Sequence, residues 1–124
     1  RGFITSPFGF RLHPIYSNKI FHPGIDIANI KSTPVVSTAD GIVIFSGWQA
    51  GYGYVVAVEH GNKYRTVYAH LSKILVKRKE LVKKGQEIGK MGNTGRSTGT
   101  HLHYEVHHNK RPINPMKYLK SYLD

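Results

Sequence analysis

The side chains best suited to chemistry lie in two short runs, residues 22–26 (HPGID) and residues 101–103 (HLH). The chain has eight histidines and no cysteine, which excludes a thiolate metal site. A catalytic zinc ion takes three nitrogen or oxygen ligands from the protein, commonly two histidines and a carboxylate, and keeps a further position open. His22, Asp26 and His103 would supply that set.

The spacing within each run indicates its local structure. Residues at positions i and i+4 share one face of a helix, but Pro23 and Gly24 break a helix, so the first run predicts a turn that enters a strand over residues 25–28. In a strand, residues two apart point to the same side, which places His101 and His103 on one face. Two half-exposed histidines on a solvent face are the ordinary alternative, and only the two runs together favour a metal site. The spacing alone leaves open whether His101 is a ligand.

Length and composition predict a single compact domain. A chain of 124 residues with 40% hydrophobic residues can fill one core, and we expect one domain over residues 1–124, cut from a longer protein. The sequence contains neither a run of eighteen apolar residues nor a basic-then-apolar leader, so it predicts no membrane span and no signal peptide within itself. The lack of cysteine excludes a disulfide framework and leaves the compartment to be argued from function.

The balance of charge is strongly basic. Eighteen lysine and arginine residues stand against seven acidic ones, a formal charge of +11, so we expect an anionic partner. Seven of the basic residues lie from Lys73 to Lys90, as a nucleic-acid footprint would also require. Because no aromatic residue interleaves that run, we interpret it as a solvated surface and expect no nucleic-acid partner.

Short segments rich in β-branched and aromatic residues alternate with glycine turns, which is typical of an all-β domain with antiparallel pairing. Residues 61–62 (GN) separate two such segments and predict a hairpin turn. Asn114 and Pro115 favour a short terminal helix, and no longer helix is expected before it. The predicted strands cover residues 41–45, 54–60, 64–70, 87–90 and 101–107.

A glycine-rich segment, residues 92–100 (GNTGRSTGT), leads directly into the histidine strand. Its glycines would let the backbone pass close to a ligand, and its position beside two candidate metal-site histidines favours a loop that lines a cleft. A phosphate-binding loop would need a Gly-Lys-Ser/Thr sequence that opens a helix, which is missing. Nucleotide binding is therefore excluded, while a plain hairpin connection stays open.

Three blocks in this order resemble the lysostaphin/LytM-type zinc endopeptidases: residues 22–26 (HPGID), residues 68–71 (YAHL) and residues 92–105, which end in HLHYE. The resemblance extends over nearly the whole chain and includes residues 85–89 (GQEIG). It implies an antiparallel β-sheet domain of the duplicated hybrid motif kind, with a zinc-containing cleft. Members of the family cut peptide bonds in bacterial peptidoglycan.

Carried over residue by residue, the resemblance implies that His22, Asp26 and His103 hold one Zn2+ ion. His70 and His101 would flank the metal without ligating it. One of these two imidazoles would take a proton from water and deliver it to the leaving amine, while the other would hydrogen-bond the tetrahedral oxyanion. The sequence does not decide which histidine has which role.

The resemblance also implies residues that contact the substrate. Tyr16 matches a tyrosine that leans over the metal in some relatives, and Asn93 and Thr94 match residues that line the cleft. The other histidines match nothing catalytic, and we interpret them as surface or loop residues: His13, His60, His107 and His108.

The resulting hypothesis is a zinc metalloendopeptidase that hydrolyses peptidoglycan stem peptides or their cross-links. The resemblance implies a D,D-endopeptidase in the periplasm or cell envelope of a Gram-negative bacterium, with a glycine bridge as the other candidate bond. The partners that it implies are peptidoglycan and either a degenerate LytM-type paralogue or an inhibitory segment upstream.

Two other classes fit part of the sequence. A non-catalytic peptidoglycan-binding or hydrolase-activating module of the same fold would lack metal ligands, and here none is missing. A lipoyl- or biotinyl-like carrier domain resembles residues 82–89 (VKKGQEIG), but a carrier would have no use for the histidines.

Overall fold

The computed structural model describes residues 3–6, 9–12, 19–22, 24–28, 32–94 and 101–115, and the side chains of residues 24–27, 32–94 and 101–115. Within these ranges the chain forms twelve β-strands, and no helix that could span a membrane is found among them. The strands are β1 (Phe3–Ser6), β2 (Gly9–Leu12), β3 (Lys19–His22), β4 (Ile25–Ala28), β5 (Pro34–Val36), β6 (Gly41–Gln49), β7 (Gly53–Gly61), β8 (Tyr64–Ile74), β9 (Leu81–Val82), β10 (Glu87–Met91), β11 (His101–His108) and β12 (Arg111–Ile113).

Ten of these strands form one sheet whose main path runs β1, β4, β11, β8, β7, β6 and β9. Beside this path, β10 pairs with both β5 and β8, and β12 pairs with β11, while β2 and β3 form a separate two-stranded sheet. All of these pairings are antiparallel. The prediction of an all-β antiparallel fold is confirmed.

The hairpin between β7 and β8 turns one residue later than the sequence predicts. Gly61 pairs with Tyr64, so the turn consists of Asn62 and Lys63, both with positive φ (50° and 65°). The prediction of residues 61–62 as the turn is therefore wrong by one residue. A two-residue turn with left-handed backbone at both positions matches the twist of the flanking strands. Glycine usually occupies a position within such a turn, but here Gly61 precedes the turn and ends β7.

The predicted terminal helix cannot be compared with the structure over most of its length. Asn114 and Pro115 follow β12 without regular structure, and residues 116–124 lie outside the described residues.

Alternation along β11 divides its side chains between the two faces of the sheet. Leu102, Tyr104 and Val106 are at most 1% exposed and belong to the core, where a fully buried side chain of this size contributes ~1.5–3 kcal/mol. His101 and His103 lie at the alternate positions, as predicted. A slip of one residue in the pairing of β11 would therefore turn these histidines toward the core and the apolar side chains toward the other face. The remaining core residues include Ile25, Ile27, Val35, Val43, Val56, Val58, Tyr68, Leu71, Ile88 and Met91.

Gly24 determines how closely the chain entering β4 approaches β11. A Cβ atom at this position would overlap the carbonyl oxygen of Tyr104 and lie 2.7 Å from Cγ of Glu105. Only glycine fits this approach, and the register that follows pairs Asp26 with His103.

Gly24→Ala should lower the free energy of unfolding by about 2 kcal/mol or more, because the β11 backbone cannot withdraw without disturbing the sheet. Gly61→Ala is a matched control, since nothing lies within 4 Å of its Cβ and only the strain of its positive φ (86°) remains, about 1 kcal/mol. Urea denaturation of both variants measures the two losses. Equal losses would contradict the close-packing argument.

Candidate active site

His70 reaches the site face of the sheet through a β-bulge. Between Tyr68 and Leu71, β8 carries one residue more than the part of β7 with which it pairs. His70 accommodates the irregularity with a left-handed backbone (φ 63°), and its amide donates to the carbonyl of Tyr52 (2.8 Å). With regular alternation, the His70 side chain would lie on the core face of the sheet, like that of the buried Tyr68. The bulge places it on the site face instead.

The loop that precedes the histidine strand holds one nitrogen of His70. Nδ1 lies 2.6 Å from the carbonyl oxygen of Thr94. Because a carbonyl oxygen only accepts, Nδ1 carries the proton and Nε2 of the neutral ring carries the lone pair. Burial lowers the pKa of His70 against the opposing effect of the Thr94 hydrogen bond, so the neutral ring prevails near pH 7.

Thr94 is itself fixed by two further hydrogen bonds. Its hydroxyl donates to the carbonyl of Leu71 (2.6 Å) and accepts from the amide of Tyr54 (3.1 Å). The carbonyl that receives His70 is thus held at a defined position. Asn93, the neighbouring residue predicted to line the cleft, is exposed.

Asp26 and the two histidines of β11 meet across the pairing of β4 with β11. Oδ1 of Asp26 lies 2.8 Å from Nδ1 of His103 and 3.8 Å from Nε2 of His101. The ring centroid of His70 is 5.1 Å from that of His101 and 5.9 Å from that of His103. The structure therefore brings together four predicted site residues: Asp26, His70, His101 and His103.

A buried carboxylate, which sequence reasoning missed, contacts the far side of His103. Glu105 is 2% exposed, and its Oε2 accepts from Nε2 of His103 (2.7 Å) and from the hydroxyl of Tyr52 (2.9 Å). Its Oε1 accepts from Nε2 of His107 (2.6 Å). Burial alone would raise the pKa of Glu105, but the hydrogen bonds from His103 and His107 outweigh it and lower the pKa to about 2.

The ionised Glu105 determines the protonation of its neighbours. Burial, together with the nearby carboxylate, raises the pKa of Tyr52 to about 12, so its hydroxyl remains a donor. Since an ionised carboxylate only accepts, Nε2 of His103 carries a proton. Burial opposes a second proton on this ring, but the hydrogen bonds to Asp26 and Glu105 outweigh it and raise the pKa of His103 to about 9.

The sequence holds a signal for two of the three residues it did not assign to the site. Glu105 and His107 continue the alternation of His101 and His103, so strand periodicity alone places all four on one face. The interpretation of His107 as a surface or loop residue misses its contact with Glu105. Tyr52 lies between β6 and β7, and nothing in its neighbourhood in the sequence points to this role.

The remaining histidines within the described residues lie elsewhere. His60 contacts the carbonyl of Asp40 and the hydroxyl of Thr66 (both 2.7 Å), and His108 stacks on Tyr64.

Two predicted site residues cannot be located by their side chains. Tyr16 lies outside the described residues, and His22 is described only by its backbone, as the last residue of β3. Among the side chains that the structure does describe, no three histidine, cysteine, aspartate or glutamate residues are arranged to hold a metal ion.

The sequence over residues 20–115 matches the profile of Peptidase family M23. The chain belongs to this family. The resemblance to lysostaphin/LytM-type peptidases is confirmed. The matched range contains seven of the eight predicted site residues, all but Tyr16: His22, Asp26, His70, Asn93, Thr94, His101 and His103.

Two curated relatives illustrate the match of this M23 domain. The DD-carboxypeptidase/endopeptidase Mpg of Neisseria meningitidis is 48% identical over 113 residues, which cover 91% of this chain and 26% of the relative. The peptidoglycan DD-endopeptidase ShyA of Vibrio cholerae is 49% identical over 107 residues, which cover 86% of this chain and 25% of the relative. The chain therefore spans about a quarter of the length of these curated relatives.

Solved structures share the M23 fold. A zinc-containing peptidase from Vibrio cholerae superposes with a TM-score of 0.82 at 41% identity, covering 94% of this chain and 40% of that one. The catalytic domain of the antimicrobial peptidase lysostaphin from Staphylococcus simulans gives a TM-score of 0.83 at 32% identity, covering 96% and 92%. The Vibrio cholerae likeness supports zinc as the metal of the family.

Glu105→Gln should destabilise the metal-free M23 domain by roughly 3 kcal/mol at pH 7, because folding lowers the pKa of Glu105 from 4.5 to about 2. A lowered pKa stabilises the fold above pH 4.5, and this contribution is lost as the pH falls toward 2. Urea denaturation at several pH values should show the difference between wild type and variant shrinking from about pH 5 downward. A difference that stays constant with pH would contradict the assignment.

Proposed function

We propose that this domain is a zinc-dependent endopeptidase that hydrolyses peptide bonds in bacterial peptidoglycan. The contact that carries the proposal joins Oδ1 of Asp26 to Nδ1 of His103 at 2.8 Å, with His70 and His101 beside it. Its M23 membership, and relatives named as peptidoglycan DD-endopeptidases, supply the class of reaction and polymer.

The donor chemistry of the Asp26–His103 contact fits a zinc ion. Without a metal, the raised pKa of His103 places a second proton on Nδ1, between the ring and the carboxylate oxygen of Asp26. A zinc ion would take the place of that proton, while Nε2 continues to donate to Glu105. Carboxylate oxygen and imidazole nitrogen are both zinc ligands. We therefore assign Asp26 and His103 to a single zinc ion, with His22 as the third ligand by the family resemblance.

Glu105 holds His103 in the form that a metal requires. A carboxylate that accepts the remote N–H of a ligating histidine fixes its tautomer and orientation and raises its basicity. Tyr52 and His107 donate to the same carboxylate and hold it in turn. The site thus has a supporting layer of hydrogen bonds built entirely from described side chains.

His70 is suited to act as the general base. Zinc supplies a Lewis acid that lowers the pKa of water toward ~7 and polarises a carbonyl group. Nδ1 of His70 is bound to the Thr94 carbonyl, so its Nε2 can accept the proton that water loses, and its lowered pKa keeps it neutral beforehand. The imidazolium formed can then deliver that proton to the leaving amine.

This assignment leaves oxyanion stabilisation to His101. Its ring packs edge-on against His70, and its Nε2 lies 3.8 Å from Oδ1 of Asp26, so it borders the same site as the base. An N–H donor there would hydrogen-bond the negative charge that develops on the carbonyl oxygen.

The bond that we propose is a D,D cross-link between stem peptides. Both curated relatives described above carry DD activity in their names, at 48% and 49% identity, whereas the lysostaphin domain is 32% identical. A net charge of +11 suits an anionic wall polymer.

Action in the periplasm or cell envelope follows from the substrate, and control by a degenerate paralogue or an upstream inhibitory segment is proposed from the family resemblance alone. The convergence of Asp26, His70, His101 and His103 disfavours a non-catalytic module.

Asp26→Ala and His103→Ala should each abolish tight zinc binding, because the remaining ligands leave the ion without its carboxylate or its oriented imidazole. His22→Ala should do the same. Metal content after dialysis against a weak chelator measures the effect, and His60→Ala, which lies away from the site, serves as a control that keeps its zinc. Full zinc occupancy in His103→Ala would contradict the ligand assignment.

His70→Ala and His101→Ala should both keep zinc and lose ~10²–10⁴-fold in kcat/KM on a soluble cross-linked peptide. Loss of the base should also remove the acidic limb of the pH–rate profile, which His101→Ala should retain. Metal content and rate are measured on the same preparations. If His101→Ala loses the acidic limb and His70→Ala keeps it, the two roles are reversed.

A further inference from the structure

A groove continues from the active site along the same face of the sheet. One cavity of about 310 Å³ is lined by Tyr52 and Glu105 at one end and by Arg65 and His107 at the other. A second cavity of about 510 Å³ begins at those last two residues and extends past Lys63 and further turn residues. Both cavities are lined by Arg65 and His107, so they adjoin there, and we treat them as two parts of one groove.

The near part of the groove is apolar. Val55 and Ala57 on β7 and Val67 on β8 form its floor, with Phe45 on β6 at the edge. The far part is basic and contains two lysines and an arginine besides His107: Lys63, Arg65 and Lys110, with Glu59 and Asn109 completing the lining. Nε of Arg65 lies 3.4 Å from Oε1 of Glu59. Since Glu59 is the only carboxylate among the described residues of this lining, beside three cationic side chains, this end of the groove has an excess of positive charge.

The two lysines are held by a pair of matched turns. Asn62-Lys63 joins β7 to β8 and Asn109-Lys110 joins β11 to β12, each as a two-residue hairpin turn. All four residues have positive φ, 50° and 65° in the first turn and 55° and 64° in the second. The amide of Asn109 donates to the carbonyl of Lys63 (3.1 Å), which ties the turns together.

Lysine is the unexpected residue in both turns. Turns of this type favour Asn-Gly, because the second central residue takes a left-handed conformation that glycine adopts without strain. Here the same strained residue recurs in both of the turns that border the groove. The recurrence brings two lysine side chains to the end of one groove, whereas the left-handed Lys79 lies away from it.

We propose that Lys63 and Lys110, with Arg65, form a subsite that binds a carboxylate of the peptide substrate. His107 lies four positions along β11 from His103, about 13 Å away, and the two turns lie beyond His107. The bound carboxylate therefore lies about four or more extended residues from the scissile bond. The apolar floor between accommodates the small side chains of the intervening peptide. This subsite rests on the proposed peptidase function and adds to it selectivity for acidic stem peptides.

The test compares binding of two peptides by zinc-loaded protein carrying His70→Ala, which prevents turnover. One is a soluble cross-linked stem-peptide dimer with free carboxylates, and the other is the same dimer with those carboxylates amidated. The change Lys63→Gly/Lys110→Gly should weaken binding of the acidic dimer about three- to tenfold and leave binding of the amidated dimer unchanged. It should also raise the melting temperature by roughly 2–4 °C, because glycine relieves the strain in both turns.

Lys79→Gly is the matched control. Lys79 is exposed and has the same left-handed conformation (φ 76°), but it lines neither part of the groove. Its replacement removes one charge and one strained residue, so it should raise the melting temperature without changing either affinity.

Three outcomes would overturn the subsite: unchanged affinity of the double-glycine variant for the acidic dimer, an equal loss for both dimers, or binding of inorganic phosphate that this variant loses while both dimers bind wild type equally. The last would assign the lysines to a phosphate-bearing partner. Cleavage of the dimers by the protein without the His70 change is measured separately. Failure to cleave either one contradicts the proposed peptidase but does not alter the binding comparison.

Discussion

The active site depends on one buried carboxylate that is fully hydrogen-bonded. Glu105 would be costly to bury without partners, and it receives three donors: the distant Tyr52, and His103 and His107 from its own strand. Because the ionised oxygens only accept, the direction of each hydrogen bond is fixed. The orientation of His103, and hence the nitrogen that it turns toward Asp26, follows from this arrangement rather than from any property of the imidazole itself.

The sheet register converts this local arrangement into a site. Strand β11 pairs with β4 on one side and β8 on the other, which places Asp26 and Ala69 directly opposite His103. The same strand buries Leu102 and Tyr104 in the core. The burial that holds β11 in register therefore also keeps His101 and His103 on the opposite face of the sheet. The proposed chemistry also depends on a local departure from regular pairing, the bulge that brings His70 to this face.

Sequence reasoning succeeded where a pattern is periodic and local. Alternation predicted the strands, their antiparallel arrangement and the shared face of His101 and His103. The first histidine run indicated Asp26, and the family resemblance implied His70. It failed where the outcome depends on pairing between distant segments. The contact of Tyr52 with Glu105 spans 53 positions and requires the folded sheet. The hairpin turn was predicted one residue too early. Residues 61–62 and residues 62–63 both suit a turn, and the twist of the two paired strands selects the second pair.

The contact that sets the tautomer of His70 uses the main chain of Thr94, not its side chain. A substitution at position 94 keeps that carbonyl but removes the hydroxyl that holds it in place through Leu71 and Tyr54, so its effect on the base is indirect. The contact would be lost only by moving the loop itself. The tautomer of His70 therefore depends on the conformation of the loop at Thr94. A substrate that displaces this loop would change which nitrogen of the ring is available to accept a proton.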